Sequence, residues 1–175
     1  MNLPDNAKFL DGVIYLRPLG LEDAVEHLAG EDEEMATWVS GGRSTLANVE
    51  VFLKNCEENW RVGGPRRVFG VCDYATGTLI GFIEVNLTFQ SDPENVNISY
   101  GISRPWRGRG LASRAINLMG EYLRTETEVR QMVLRIAPAN AASLRVAEKS
   151  GFSSQGIVEE TQGPMIRWVR DLRVQ

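Results

Sequence analysis

Arg107-Gly108-Arg109-Gly110-Leu111-Ala112 is the stretch of this chain best suited to holding an anion. An extended-type run, Val96 to Ser103, precedes it, and a helical-type run, Leu111 to Arg124, follows. A strand that ends in a glycine turn and continues as a helix presents several unpaired backbone N–H groups at one point. The helix dipole adds roughly half a positive charge there, which suits a phosphate or pyrophosphate. Gly108 and Gly110 permit a positive φ or a close backbone approach, and Arg107 and Arg109 either add charge at the rim or are simply solvated. Two nucleotide-binding patterns fail on detail. A P-loop needs Gly-Lys-Ser/Thr where Leu111-Ala112 stand. A Rossmann fingerprint needs a third small residue opening a βαβ unit, whereas Ser113 holds that slot after strands that read as antiparallel hairpins. An anion site between an antiparallel strand and a helix is left, with a plain tight turn as the alternative.

Other chemistry-bearing residues are few. Asn140 lies between a strand end and a helix start, the place of an N-cap. Glu84 is an acid inside an apolar run, Ile80-Gly81-Phe82-Ile83 before it and Val85 after it. Facing a cleft it can serve as a general base; facing solvent it is inert. His27 is the single histidine and falls on an amphipathic helix, so a packing role is expected, and no metal site. Cys56 and Cys72 form no CxxC pair and read as reduced core thiols of a cytoplasmic protein.

These groups are carried by elements that the apolar spacing outlines. Gly12 to Leu19 reads as a strand stopping at Pro18, and Leu21 to Ala29 as a helix. Ser40-Gly41-Gly42 breaks the chain, and Ser44 or Thr45 caps a helix running to about Trp60. Val68 to Asp73 and Leu79 to Phe89 are strands joined by Ala75-Thr76-Gly77-Thr78. Ser91-Asp92-Pro93-Glu94 turns into the strand Val96 to Ser103. The helix opening at Gly110 has Leu111, Ala115, Leu118, Met119 and Tyr122 on one stripe. Met132 to Ile136 is a short buried strand, Ala141 to Lys149 a helix ending at Gly151, and Ile157-Val158 with Met165 to Val169 a closing hairpin. No repeat or linker interrupts the chain, so residues 1–175 read as one α/β domain.

Composition limits the rest. With 175 residues, 43% hydrophobic and 24% charged, the chain is an ordinary globular domain. No apolar run approaches the ~20 residues of a membrane span, and Met1 to Asn6 lack the features of a signal peptide. Residues 1–60 hold 12 acids against 4 bases, a net of −8, and residues 61–175 hold 15 bases against 11 acids, a net of +4. The basic half is compatible with an anionic ligand and the acidic half with a cationic one. Neither charge pattern suggests nucleic acid. The Glu31-Asp32-Glu33-Glu34 run is either a solvated face or an attractor of a cation.

Arg107-x-x-Gly110-x-Ala112 resembles the acyl-CoA-binding signature of the GCN5-related N-acetyltransferase (GNAT) superfamily. The segment Asn140 … Ser143-x-Arg145-Val146 … Lys149-x-Gly151-Phe152 resembles the second half of that fold, in the form of its ribosomal-protein N-terminal acetyltransferase branch. Ile14-x-Leu16-Arg17-Pro18-Leu19 followed by Glu22-Asp23 resembles that branch's first strand and helix. The resemblance spans nearly the whole chain in order.

The resemblance implies a single-domain α/β fold: a mixed, mostly antiparallel sheet of about seven strands with about four helices, splayed after the strand ending near Ser103. Acetyl-CoA, the implied cosubstrate, lies in that opening. The backbone of Arg107, Gly108, Arg109, Gly110, Leu111 and Ala112 would hold its pyrophosphate. The strand Ile98 to Ile102 would pair with the pantetheine arm, and Asn140 would bond it from the other side. A backbone N–H near Tyr100, Gly101 or Ile102 would face the thioester carbonyl. Many members carry Tyr seven residues after the Asn, as the acid for the leaving thiolate; here that position is Ala147. Ser143 is the nearest hydroxyl and is expected to bond the CoA sulfur, with a plain helix-start serine as the alternative.

The amine must attack uncharged. Neutralising an α-amine of pKa ~7.8 at pH 7 costs about 1 kcal/mol, and a lysine of pKa ~10.4 about 4.6 kcal/mol. An α-amine therefore asks little of a base, and Glu84 is the candidate. Trp38 and the acidic run fall where the family walls its acceptor pocket, so Trp38 is expected to touch the acceptor or to be core. The implied function is acetyl transfer from acetyl-CoA to a primary amine by direct attack, the acceptor being a peptide N-terminus, a polyamine or an aminosugar. The rival is a non-catalytic acyl-CoA sensor on the same fold. A homodimer is compatible with the resemblance.

Overall fold

The computed structural model describes residues 8–88 and 95–173. The Ser91 to Glu94 turn, the Phe89 end of its strand and the Met1 to Asn6 segment lie outside them. Phe9–Leu10 (β1) and Ile14–Pro18 (β2) form an antiparallel pair. The Asp11 carboxylate accepts from the N–H groups of Val13 and Ile14 in the turn between them. A 3-10 turn, Leu21–Asp23, leads into Ala24–Ala29 (α1). Glu33–Met35 (α2) continues as a π-helical turn over Ala36–Ser40. Leu46–Val62 (α3) is capped by Thr45, whose hydroxyl accepts from Asn48 N. Arg66–Asp73 (β3), Leu79–Asn86 (β4) and Asn95–Ile102 (β5) form the meander. Leu111–Glu126 (α4), Gln131–Ile136 (β6) and Ala141–Lys149 (α5) follow, and Ser153–Glu160 (β7) pairs with Gly163–Asp171 (β8).

The eight strands make one sheet in the order β1-β2-β3-β4-β5-β6-β8-β7. The strand count exceeds the expected seven because β1, two residues long, is too short to show a period. The fifth helix, α2, is three residues and escaped for the same reason. β7 extends well beyond Ile157-Val158 because it is a mostly exposed edge strand. Its side chains need not alternate between core and solvent.

Period-two alternation on the central strands feeds two cores. Ile83 and Val85 of β4 and Ile98 of β5 pack against Ile116, Met119 and Leu123 of α4. Phe82 of β4 and Val68 of β3 pack on the other face with Leu53 and Cys56 of α3. Apolar residues on both faces are why β4 reads as a continuous apolar run.

Every pairing is antiparallel except β5 with β6, whose parallel register covers Asn95↔Gln131, Val96↔Met132 and Asn97↔Val133 and then stops. Beyond it, β5 continues against β4 to Ile102 and β6 against β8 to Ile136. The sheet therefore opens between residues 98–102 and 134–136. The crossover that a parallel pair requires is α4, which starts at the mouth of that opening. Among the described residues, no helix is long and apolar enough to cross a membrane.

Candidate active site

Two cavities meet in the split. One, of about 280 Å³, lies toward the α4 N-terminus and α5, and is lined by Ile102, Gly108, Gly110 and Ala112. The other, of about 600 Å³, lies toward α1 and α3, and is lined by His27, Phe52, Glu84 and Ser99. Trp38, Val39, Tyr100, Asn140 and Ser143 line both.

At the α4 end the glycine turn opens a helix, as its spacing predicts. Gly108 and Gly110 take φ of +76° and +74°, and Gly110 is the N-cap, with no side-chain cap bond. The first helical bond is Arg114 N to Gly110 O at 3.2 Å. The N–H groups of Leu111, Ala112 and Ser113 are thus left for a ligand. No heavy atom lies within 4 Å of where a Cβ would sit on Gly108 or Gly110, so the space over the turn is open. These are features an acyl-CoA pyrophosphate fits.

Arg107 behaves differently from expectation. Its guanidinium does not stand as charge at the rim. It donates to Asp32 through two nitrogens at 2.9 Å each, to Glu34 at 2.7 Å and, through Nε, to Ile102 O at 2.7 Å. The pair holds the Asp32 carboxyl below its usual range and ties the turn to α2. Arg109 instead stacks over Trp106, 5.2 Å from the ring centroid. Arg145 and Lys149 of α5 are the further cations lining this cavity.

On β5, Ser103 N donates to Ile80 O. Strand alternation then sends the backbone groups of Tyr100 and Ile102 to the opposite edge, into the cleft. The amide donors anticipated between Tyr100 and Ile102 are accordingly those of Tyr100 and Ile102. Gly101 presents its Cα to Met35, whose Cε would lie 3.0 Å from an added Cβ, so glycine lets α2 close against β5.

Asn140 is the N-cap its position suggested: Oδ1 accepts from Ser143 N at 3.0 Å. That bond orients the side chain and leaves Nδ2 as its available donor, within the lining of both cavities. The buried Tyr100 hydroxyl makes no hydrogen bond of good geometry, although the Ser143 side chain is close enough to interact with it. Burial pushes that hydroxyl above its ordinary range, so it stays protonated.

Glu84 faces the cleft side rather than bulk solvent and is 15% exposed. It is not isolated among apolar groups: Arg66 Nη2 donates to it at 2.7 Å. Trp38 is 41% exposed and belongs to the cavity wall, not the core. The acidic run does not line the larger cavity. Glu31 accepts from Ser44 N, Ser44 Oγ and Ser40 Oγ at 2.7 to 2.9 Å. Asp32 caps α2 and pairs with Arg107, Glu33 pairs with Arg43 and Glu34 with Arg107. Their charge is used in building the wall, which spacing alone does not reveal.

His27 packs as expected, its ring 5.7 Å from Phe52 and 5.3 Å from Phe82 between centroids, and it also lines the larger cavity. Burial lowers its pKa from 6.5. A histidine whose folded pKa is depressed takes up its proton more readily when unfolded. Its effect on stability is therefore nil well above pH 6.5 and grows as pH falls below it. Urea midpoints are expected to drop from pH 7.5 to pH 5.5, and to drop less in His27→Gln. Both cysteines are free and buried, and burial pushes Cys56 up to about 12, so neither offers a thiolate nucleophile.

The sequence reading missed the ion pairs of Arg107, whose guanidinium was expected at the rim, and the side chain of Tyr100, of which only the backbone carried an expectation.

The comparisons with known proteins agree with this geometry. A family model described as "Acetyltransferase (GNAT) domain" matches residues 14–153. The chain is 25% identical over 160 residues to "Probable N-acetyltransferase YjcK" of Bacillus subtilis, covering 84% of each. Among solved structures it superposes on ribosomal-protein-S5-alanine acetyltransferase from Vibrio fischeri with a TM-score of 0.79, at 17% identity over 95% of this chain and 97% of that one. Aminoglycoside acetyltransferase AAC(6')-Ib, in complex with coenzyme A and kanamycin, gives 0.77 at 21% identity, over 90% and 94%. At these identities the two structures bear on the fold.

Proposed function

The chain belongs to the acetyltransferase (GNAT) family and is an acetyl-CoA-dependent N-acetyltransferase, and from that premise we propose how its residues divide the work. Bound acetyl-CoA supplies a thioester carbonyl open to attack by an amine. The N–H groups at Gly108 to Ala112 hold the pyrophosphate at the positive end of α4. The free edge of β5 binds the pantetheine as an added strand would, and Asn140 Nδ2 donates to it from α5. The N–H of Tyr100 or Ile102 polarises the carbonyl. The acceptor enters through the larger cavity, and Glu84, oriented by Arg66, takes the proton of the attacking amine. The observation carrying this reading is the three-residue β5–β6 pairing that opens beside an uncapped helix start.

A peptide N-terminus is the acceptor these residues favour. A polyamine or aminosugar brings several ammonium groups, each needing a carboxylate or carbonyl to replace water. Among the described residues lining the larger cavity, Glu84 is the one carboxylate, and Arg66 and Arg135 stand with it. Incubation with acetyl-CoA and a mixture of peptides, polyamines and aminoglycosides, read by mass spectrometry, tests this. Acetylated peptide α-amines are expected. Acetylated polyamines or aminoglycosides alone would reverse the acceptor assignment, and binding without turnover would favour an acyl-CoA sensor.

Glu84→Gln is expected to lower kcat about 10²-fold, within the usual range for a general base, and to flatten the acid limb of the pH–rate profile. Acetyl-CoA affinity is expected to hold, because Glu84 lines the acceptor-side cavity. An unaltered pH–rate profile would remove Glu84 as base.

A further inference from the structure

The roles assigned above leave the departing sulfur without an acid. The α5 position held by Tyr in many relatives of this fold is Ala147, fully buried, so nothing reaches the cleft from there. Five residues line both cavities and so surround the point where donor and acceptor meet: Trp38, Val39, Tyr100, Asn140 and Ser143. Two of them carry hydroxyls. Ser143 is held in the first turn of α5 by its own N–H bond to Asn140 Oδ1 at 3.0 Å. Tyr100 Oη is buried without a well-formed hydrogen bond. A buried polar group left so is destabilising, and one retained at a cleft calls for a reason.

We propose that Tyr100 and Ser143 act together as the acid of the reaction, Ser143 Oγ donating to the CoA sulfur and Tyr100 Oη donating to Ser143. The proposal rests on the acetyltransferase reading. A phenol is far more acidic than an aliphatic hydroxyl, so Tyr100 is the source of the proton and Ser143, both donor and acceptor, passes it on. The amine nitrogen bonds to the carbonyl carbon and gives its proton to Glu84. As the carbon–sulfur bond breaks, its electron pair goes to sulfur, which receives the Ser143 proton; Ser143 is refilled from Tyr100. The proton on Glu84 passes to solvent and an equivalent one returns to Tyr100 by way of Ser143, leaving amide, thiol and unchanged enzyme.

A hydroxyl that donates to the sulfur, strengthened by a second that donates to it, stabilises the thiolate with or without turnover. The test is therefore the pKa of the CoA thiol bound to the enzyme, titrated by thiolate absorbance, together with kcat. Wild type, Tyr100→Phe, Ser143→Ala and the double variant are compared. Each single variant is expected to raise the bound thiol pKa by about one unit, the size of one hydrogen bond to a charged group. Each is expected to lower kcat about 10²-fold, and the double variant to be no worse than the weaker single, as for residues acting as a unit. An unchanged thiol pKa in Tyr100→Phe overturns the proposal whatever its kcat, and so do kcat losses that multiply in the double variant. A wild type that binds CoA but acetylates no amine sinks the acetyltransferase reading; the thiol titration still judges the hydroxyl pair.

Discussion

Gly110→Val is expected to weaken acetyl-CoA binding about 100-fold or more while leaving the protein folded. Gly110 sits at φ +74° as the N-cap of α4. An L-residue there costs about 1–2 kcal/mol, and a β-branched one is a genuine outlier. Relief requires the turn to leave the left-handed region, which rotates the N–H groups it presents. If the turn holds, the isopropyl group enters the open space over it, where an anion would lie. Either outcome removes the cradle, and a hundredfold is about 2.7 kcal/mol. Calorimetric titration with acetyl-CoA reads the loss, and circular dichroism checks the fold. Gly110→Ala, with less bulk and the same strain, is expected to fall between. Unchanged affinity in the valine variant would move the pyrophosphate away from this turn.

The second large effect is on stability. Asp23→Ala is expected to lower the unfolding free energy by about 3–5 kcal/mol, as when one partner of a buried ion pair is removed. Asp23 is 3% exposed. Its carboxylate accepts from Arg17 Nη1 at 2.8 Å, Arg17 Nη2 at 2.5 Å and Gly20 N at 3.0 Å. The paired carboxylate raises the Arg17 pKa above its ordinary value. Truncation strands a largely buried guanidinium and a backbone donor together. Typical domains have about 5–15 kcal/mol in all, so the urea midpoint is expected to shift widely. Arg17→Ala is expected to cost a similar amount, and the double variant less than the sum. Simple addition of the two losses would show the pair to be uncoupled. The same pair fastens β2 to the start of α1, and so fixes where His27 meets the larger cavity.

Arg17, Pro18 and Asp23 were visible as part of a pattern, and the pattern now has a cause. The ion pair and the Gly20 bond span six residues, so a local motif sufficed to mark them. The strands and long helices were legible for the same local reason: apolar residues at period 2 or 3.6 mark the face that each element buries. The glycine turn and the Asn140 cap were legible because φ sign and capping act within a few residues.

Longer-range features were not. Arg107 reads as charge at the rim of the turn or as a solvated side chain, yet its guanidinium finds Asp32 and Glu34 more than seventy residues away. The acidic run reads as a solvated face or a lure for a cation, yet its charges are consumed by Arg107, Arg43 and the Ser40 and Ser44 groups. Glu84 could face either way until the β3–β4–β5 register set it opposite Val68 and Ser99. Tyr100 gave no side-chain signal, because only the parting of β5 from β6 puts its hydroxyl beside Ser143. By itself the sequence determined most of the elements, the glycine turn that opens α4 and the family, since backbone propensity, capping and periodicity are short-range. The tertiary structure alone decided which charges neutralise one another and which side chains meet in the cleft, since charge pairing and side-chain direction depend on strand register and on where the sheet splits.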